Sequence, residues 1–369
     1  MLKDLLNPGS GKNSASPDPH FFSNLNFNSY NFKISISIIG AGSWGTTLAI
    51  MLAQKGYNVK LWARSESTLK EIREKRTNFK YTGNILIPEN VTGVFGGSEL
   101  FLNAELVILA LPSHTIRAII SNFGRDLQKN STKIKAVINV AKGFEIGTNL
   151  RLTQVIKECV PERLSDKIAV LSGPNIATEI VNKLPSVSVI SSTNKKLLKY
   201  LQNIFFTDYF RVYTNEDMVG VEIAGAVKNI IAIAAGISDG LGYGANAKAS
   251  LITRGLYELG KIGKFFGANL QTFSGAAGMG DLIATCISKN SRNRNVGERL
   301  AKGESIIDII ESMYMIAEGI NTTKAIYEIS KTNKLEVPIT EIVYKILYKG
   351  LSPAAAVDKL MTRKFRSEV

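Results

Sequence analysis

The stretch Ile34-Ser35-Ile36-Ser37-Ile38-Ile39-Gly40-Ala41-Gly42-Ser43-Trp44-Gly45 decides the reading of the fold. Ile34–Ile39 is an apolar run of strand length, and Thr46–Lys55 beyond it has the length and pattern of a helix. Between them Gly40, Gly42 and Gly45 hold the spacing G-x-G-x-x-G. The first glycine of that spacing makes a tight turn, the second admits a pyrophosphate close to the backbone, and the third lets helix pack on strand. Free N–H groups and the partial positive charge at the helix start suit the anion. A strand directly before the glycines and a helix directly after them is the context the pattern requires. Gly40, Gly42 and Gly45 are therefore expected to bind a dinucleotide.

Working outward, apolar runs at Asn58–Trp62, Leu106–Leu111, Ala136–Val140, Ile168–Leu171 and Val187–Ile190 alternate with helical stretches such as Ser65–Lys75. That alternation is the signature of a parallel α/β sheet. The strand pattern fades after Phe210–Val212, and helices are expected from there on: one capped by Asn215 or Asp217 and running to about Ile237, then Ala247–Phe266, Asp281–Lys289, Val296–Lys302, Ser305–Tyr314, Asn321–Lys331 and Pro338–Lys349. The expected fold class is α/β: an N-terminal Rossmann-type dinucleotide-binding domain over 33–212, followed by an all-α C-terminal substrate domain over 213–369. Residues 1–32 are rich in Asn, Ser, Pro and Gly without periodicity and are expected to be a disordered extension. They carry neither the apolar core of a secretory signal nor the arginines of a transit peptide.

The 369 residues suffice for about two domains by the usual rule of roughly 150 residues each. A 45% hydrophobic and 21% charged composition excludes disorder of the whole chain. With Cys159 and Cys286 as its only cysteines, it is no disulfide scaffold. Apolar runs such as Ala226–Ile237 are interrupted by Lys228 and Asn229 and fall short of the roughly 18 residues of a membrane span. The net charge of +14 is scattered lysine in the main, with no block of like charge. Nucleic acid is not expected as a partner, because clustered basic and aromatic residues are missing.

In a doubly wound sheet, ligands sit beyond the carboxyl ends of the strands. The loops there are Leu61-Trp62-Ala63-Arg64, Leu111-Pro112-Ser113-His114, Ala141-Lys142-Gly143 and Ser172-Gly173-Pro174-Asn175. The second strand of such folds normally ends in an acid that grips the ribose of NAD; here the nearest is Glu66, and Arg64 could instead meet the 2′-phosphate of NADP. The other reading of Arg64 is an exposed helix-start residue. His114 reads either as a general base or as a capping residue.

In the helical half, Lys228 has Ala224, Gly225, Ile231 and Ala232 on its own face. A lysine so placed either snorkels to water or remains desolvated with a lowered pKa, which is what a proton donor near neutrality needs. Lys142, if close by, would lower it further. Asp281 opens a helix after the glycine-rich run Ser274–Gly280 and could be a cap. Ser291-Arg292-Asn293-Arg294 groups guanidinium, amide and hydroxyl donors that suit a phosphate, or else forms a solvated loop.

Taken together, these blocks resemble the NAD(P)-dependent glycerol-3-phosphate dehydrogenase family, in its bacterial soluble form. Gly40–Gly45, Lys142-Gly143, Ser172-Gly173-Pro174-Asn175-Ile176-Ala177, Gly220-Val221-Glu222 and Ala226-Val227-Lys228-Asn229 follow the family's order. So do Asn246-Ala247-Lys248-Ala249, Thr253-Arg254-Gly255, Gly278-Met279-Gly280-Asp281-Leu282 and Ser291-Arg292-Asn293. Two positions depart from it: Thr82 stands where Leu is usual, and Asn175 where Ser or Thr is common. Residues 1–32 have no counterpart.

The resemblance implies an oxidoreductase that interconverts dihydroxyacetone phosphate and sn-glycerol 3-phosphate and supplies the latter for glycerophospholipid synthesis. It implies Lys228 as proton donor and acceptor at the substrate C2 oxygen, with Lys142 and Asp281 beside it as catalytic residues. Lys142, Gly173, Asn175, Lys228, Asp281, Ser291, Arg292 and Asn293 are the implied substrate contacts. Ser43, Trp44, Arg64, Lys142, Ala177, Arg292, Ile316 and Glu318 are implied to touch the cofactor, with NADP(H) preferred, NAD(H) accepted and no metal. A homodimer in the cytoplasm is expected. Three rivals remain at this point: a dehydrogenase of similar plan acting on a hydroxy acid or sugar acid phosphate, a nucleotide sensor without turnover, and a nucleic-acid binder.

Overall fold

The computed structural model describes residues 34–315 and 317–362. The expected extension at 1–32 and the position of Ile316 lie outside the described residues.

Eight strands form one sheet: β1 (Ser35–Ile39), β2 (Asn58–Trp62), β3 (Val91–Val94), β4 (Leu106–Leu109), β5 (Ala136–Asn139), β6 (Ile168–Ser172), β7 (Ser186–Ser191) and β8 (Phe210–Asn215), in the order β3-β2-β1-β4-β5-β6-β7-β8. Alternate side chains go to opposite faces, as the period of two demands. Ile36, Ile38, Leu106 and Ile108 enter one core, while Ile39, Val107, Leu109 and Val137 enter the other. Helices cover both faces, so the central strands β4, β5 and β6 are buried along their whole length and mostly apolar, as in the Rossmann plan.

Two features differ from expectation. Edge strand β3 interrupts its two valines with Thr92 and with Gly93, whose bare backbone packs against Ile72 and Leu69, and so lacks the apolar run that marks the equally short β4 and β5. The sheet is also not wholly parallel, because β7 runs antiparallel to β6, with Val170 opposite Ser191 and Ser172 opposite Val189. A parallel return usually carries a full helix in its crossover, and the only helix between these strands, Ala177–Val181, has five residues. Strand β8 pairs parallel with β7 and closes the edge.

The helical domain is built around Met218–Gly240, buried along nearly its whole length. Asp217 caps it, accepting from the Gly220 N–H at 2.9 Å, while Asn215 ends β8 and accepts from the Asp217 N–H. This helix is long and apolar enough to cross a membrane, which the sequence runs did not indicate, but it is the core helix of its domain: Ile223, Ala226, Val227, Ile230, Ile231 and Ile233 are all buried. Around it lie Ala245–Phe265, Asp281–Ile287, Arg292–Ala301, Glu318–Thr332 and Pro338–Lys349.

Candidate active site

The sheet and the core helix climb together toward one edge. Val221 packs beside Val170 of β6 and Val189 of β7. One helical turn on, about 6 Å higher, Gly225 stands level with Ser172, two residues further along β6. A Cβ at Gly225 would sit 2.6 Å from Ser172 Oγ and 3.4 Å from Lys142 Cγ, so only glycine lets this helix rest against the loops. The next turn brings Lys228 to the carboxyl edge of the sheet.

Lys228 is 5% exposed and Asp281 1%. The lysine does not snorkel: its Nζ donates to Asp281 Oδ1, and to Thr285 Oγ1 at 2.5 Å. Asp281 is the first residue of its helix rather than the cap, and its other oxygen accepts from Lys142 Nζ at 2.6 Å. Lys142 also donates to the Gly173 carbonyl at 3.2 Å. One carboxylate thus bridges two ammonium groups from different domains. Burial lowers the pKa of Lys228 from 10.5 to about 7; Asp281 pulls it back up and Lys142 pushes it down. A proton held there is exchangeable at neutral pH.

Beside this pair lies the dinucleotide cradle. Gly40 has φ of +117°, which a side chain rarely adopts, and a Cβ at Gly40 or Gly45 would collide with neighbouring backbone. A Cβ at Gly42 would meet nothing. The helix Ser43–Gln54 opens there with no side-chain cap, so its first N–H groups are available to an anion. These features fit a dinucleotide pyrophosphate. Ser43 Oγ donates to the Tyr81 carbonyl at 3.3 Å, Trp44 is half-buried near Phe210, and Thr47 Oγ1 donates to the Ala177 carbonyl at 3.5 Å. Arg64 is exposed just past the end of β2.

Chains of known identity share this arrangement. Residues 35–198 match the family described as NAD-dependent glycerol-3-phosphate dehydrogenase N-terminus, and residues 217–358 match its C-terminus. The chain belongs to the NAD-dependent glycerol-3-phosphate dehydrogenase family. It is 45% identical over 336 residues to glycerol-3-phosphate dehydrogenase [NAD(P)+] of Geobacillus thermodenitrificans, covering 91% of this chain and 96% of that one. The protein of the same name from Clostridium tetani is 45% identical over 333 residues, 90% of this chain and 93% of its own. The crystal structure of glycerol-3-phosphate dehydrogenase from Coxiella burnetii is similar with a TM-score of 0.84 at 36% identity, over 90% of this chain and 100% of that one.

Of the remaining residues that the dehydrogenase resemblance singles out, Asn293 is buried and doubly engaged: Nδ2 donates to Asn229 Oδ1 at 2.9 Å, and Oδ1 accepts from the Gly319 N–H at 2.9 Å. Ser291 caps the helix Arg292–Ala301, accepting from the Arg294 N–H and keeping its own hydroxyl proton to donate. Arg292 is exposed within electrostatic reach of Glu318. Arg294, read as part of the same group, turns away to Asp239 at 2.6 Å. Glu318 accepts from the Ser113 N–H at 2.9 Å and hydroxyl at 2.5 Å, which counters the upward push of burial on its pKa. Asn175 donates to Ser188 Oγ at 3.0 Å, and its Oδ1 is buried without a partner, as is Ser172 Oγ. His114 is exposed at the start of a short 3₁₀ turn.

Thr285, Ser113, Asn229 and Ser172 were not anticipated as part of this group. Thr285 had one available signal, its place one helical turn after Asp281. Ser113 lay in a loop already picked out for its position, but its partner Glu318 is far along the chain.

Proposed function

We propose that the protein interconverts dihydroxyacetone phosphate and sn-glycerol 3-phosphate by hydride transfer with NAD(P)H, and so supplies glycerol 3-phosphate for glycerophospholipid synthesis. The observation that carries this reading is the Lys228–Asp281–Lys142 bridge at the sheet's carboxyl edge, with Lys228 and Asp281 buried and Lys142 partly exposed, beside a glycine cradle shaped for a dinucleotide. Nicotinamide, when bound, supplies or accepts the hydride. The chain's own task is the proton: Lys228 Nζ gives one to the oxygen on C2 during reduction and takes it back during oxidation. Its positive charge also stabilises the alkoxide as it develops. Asp281 holds both lysines in place, and Lys142 lies between the Gly173 carbonyl and the reacting pair.

Arg292, Ser291 and the free N–H of the Asn293 amide are assigned to the substrate phosphate, with Gly173 and Asn175 lining the glycerol part. Ser43, Trp44, Ala177 and Glu318 are assigned to the cofactor with Gly40, Gly42 and Gly45. Arg64, exposed at the end of β2 with no acid before Glu66, supports a preference for NADP(H) over NAD(H). A division of the chain near 212/213 is supported in outline by the change from strands to helices, which falls a few residues later, between the end of β8 at Asn215 and the helix from Met218. A homodimer and a cytoplasmic location complete the reading, on family resemblance.

The test is an assay of nicotinamide absorbance with dihydroxyacetone phosphate. Turnover is expected with both cofactors, with the higher kcat/KM for NADPH. Failure with both would overturn the activity; equal or better use of NADH would overturn the cofactor preference alone.

A further inference from the structure

The segment from Lys142 to Thr153 belongs to the nucleotide-binding half by its place in the chain, yet the helical domain grips it at both ends. Phe144, two residues after Lys142, is 2% exposed and packs within the core of the helical domain, its ring 5.9 Å from that of Phe266. The segment then closes on itself: Phe144 and Arg151 form an antiparallel bridge, and the Glu145 N–H donates to the Leu150 carbonyl at 3.0 Å. At its far end the carboxylate of Glu222, 4% exposed, accepts from Arg151 Nη1 at 2.7 Å, the Thr153 N–H at 2.8 Å and Thr153 Oγ1 at 2.7 Å. A carboxylate so buried is tolerated because charged and neutral donors satisfy it and it faces the start of the helix Leu152–Cys159. Glu222 lies on the same helix as Lys228, less than two turns before it. The strap that carries one lysine of the bridge is thus clamped to the helix that carries the other.

We propose that Glu222, Arg151, Thr153 and Phe144 form a positioning set that holds Lys142 on Asp281 and thereby tunes the proton transfer made by Lys228. The proposal rests on the acid–base reading of Lys228 given above. The titratable groups facing Lys228 are Asp281, which favours its ammonium form, Lys142, which opposes it, and the thiol of Cys286 on the same helix as Asp281. When the strap slackens, Lys142 leaves Asp281, the carboxylate serves Lys228 alone, and the ammonium form is favoured to higher pH. Glu222 and Arg151 touch neither Lys228 nor Asp281, so they act through Lys142.

The experiment is a double-mutant cycle in the full-length enzyme, reading kcat for reduction against pH together with NADPH affinity. Arg151→Met leaves Glu222 its two Thr153 donors. Phe144→Leu, which keeps an apolar side chain in the core, is a second route to the same strap. Each is expected to lower kcat at least about fivefold and raise the pH of the inflection, with NADPH affinity within about twofold. In a Lys142→Met background each should have no further effect, because contributions through one shared group are not additive. Full additivity with Lys142→Met, or an unmoved inflection, overturns the positioning proposal. If Lys142→Met by itself changes neither kcat nor the profile, the reading of the lysine bridge fails instead.

Discussion

Lys228 keeps its amine inside the protein although the side chain is long enough to reach water from many helix positions, and Asp281 is the reason. Removing Asp281 would leave the buried Lys228 ammonium uncompensated, whereas Asp281 without Lys228 would still be paired with Lys142. Lys228→Ala is expected to retain NADPH binding while losing nearly all turnover; survival within about tenfold, or about 1.4 kcal/mol of barrier, would rule Lys228 out as the acid. The lowered pKa of about 7 sets the sign of the pH dependence. Below it the amine is mostly ammonium and can donate, so reduction should be fastest there and fall as pH rises through the inflection. Oxidation of glycerol 3-phosphate needs the neutral amine and should rise over the same interval. Profiles of the same sign in both directions would contradict the assignment. Lys228 itself was readable from sequence, since the small and aliphatic residues on its own helix face mark it as unusual. Its partners Lys142 and Asp281 were placed beside it only through the family resemblance, because they lie far from it along the chain and only the fold brings both lysines to one carboxylate.

At the level of elements, the core helix meets Arg292–Ala301 backbone to backbone. A Cβ at Gly236 would strike the Arg294 carbonyl, and one at Gly297 would strike the carbonyl of Ile233. This contact places Asn293 and Asn229 within hydrogen-bond reach. Gly236→Ala should therefore force the helices apart, costing about 1–3 kcal/mol as overpacking does, against a slight gain in helix propensity at an exposed site. Urea unfolding would measure it, and an unchanged midpoint would show that the contact yields freely. Lysines hold other element ends: Lys55 donates to the carbonyls of Asn203, Ile204 and Phe206 at the close of the helix Lys195–Phe205, and Lys60 to those of Glu99 and Leu102. Cations are favourable at helix C-termini. Strong apolar runs such as Ile168–Ser172 were legible as strands, whereas β3 is broken by Thr92 and Gly93 and the direction of β7 is set by its tertiary pairing with β6.

At the scale of the whole molecule, the described residues from Ile34 to Thr362 form one compact unit rather than two. Phe144 from one half is embedded in the core of the other, and Glu222 and Glu318 each reach across to cap backbone of the first half. The two halves should consequently unfold together. Calorimetry is expected to show one transition, with calorimetric and van't Hoff enthalpies equal; two resolved transitions would show that the halves are energetically independent. The charge of +14 also takes on a distribution at this scale. Lys142 and Lys228 share Asp281 at the site, and Lys55 and Lys60 are engaged with helix ends.

The sequence by itself determined the class of fold, the glycine spacing of the cradle and the singular setting of Lys228. Apolar periodicity, glycine spacing and a lysine in an apolar helix are local signals, each legible within a few turns of chain. Only the tertiary structure decided which charges share a carboxylate, that Phe144 and Glu222 tie the halves together, and that β7 runs against its neighbour. These depend on contacts between residues distant in sequence, where packing and desolvation, rather than local propensity, set the energy.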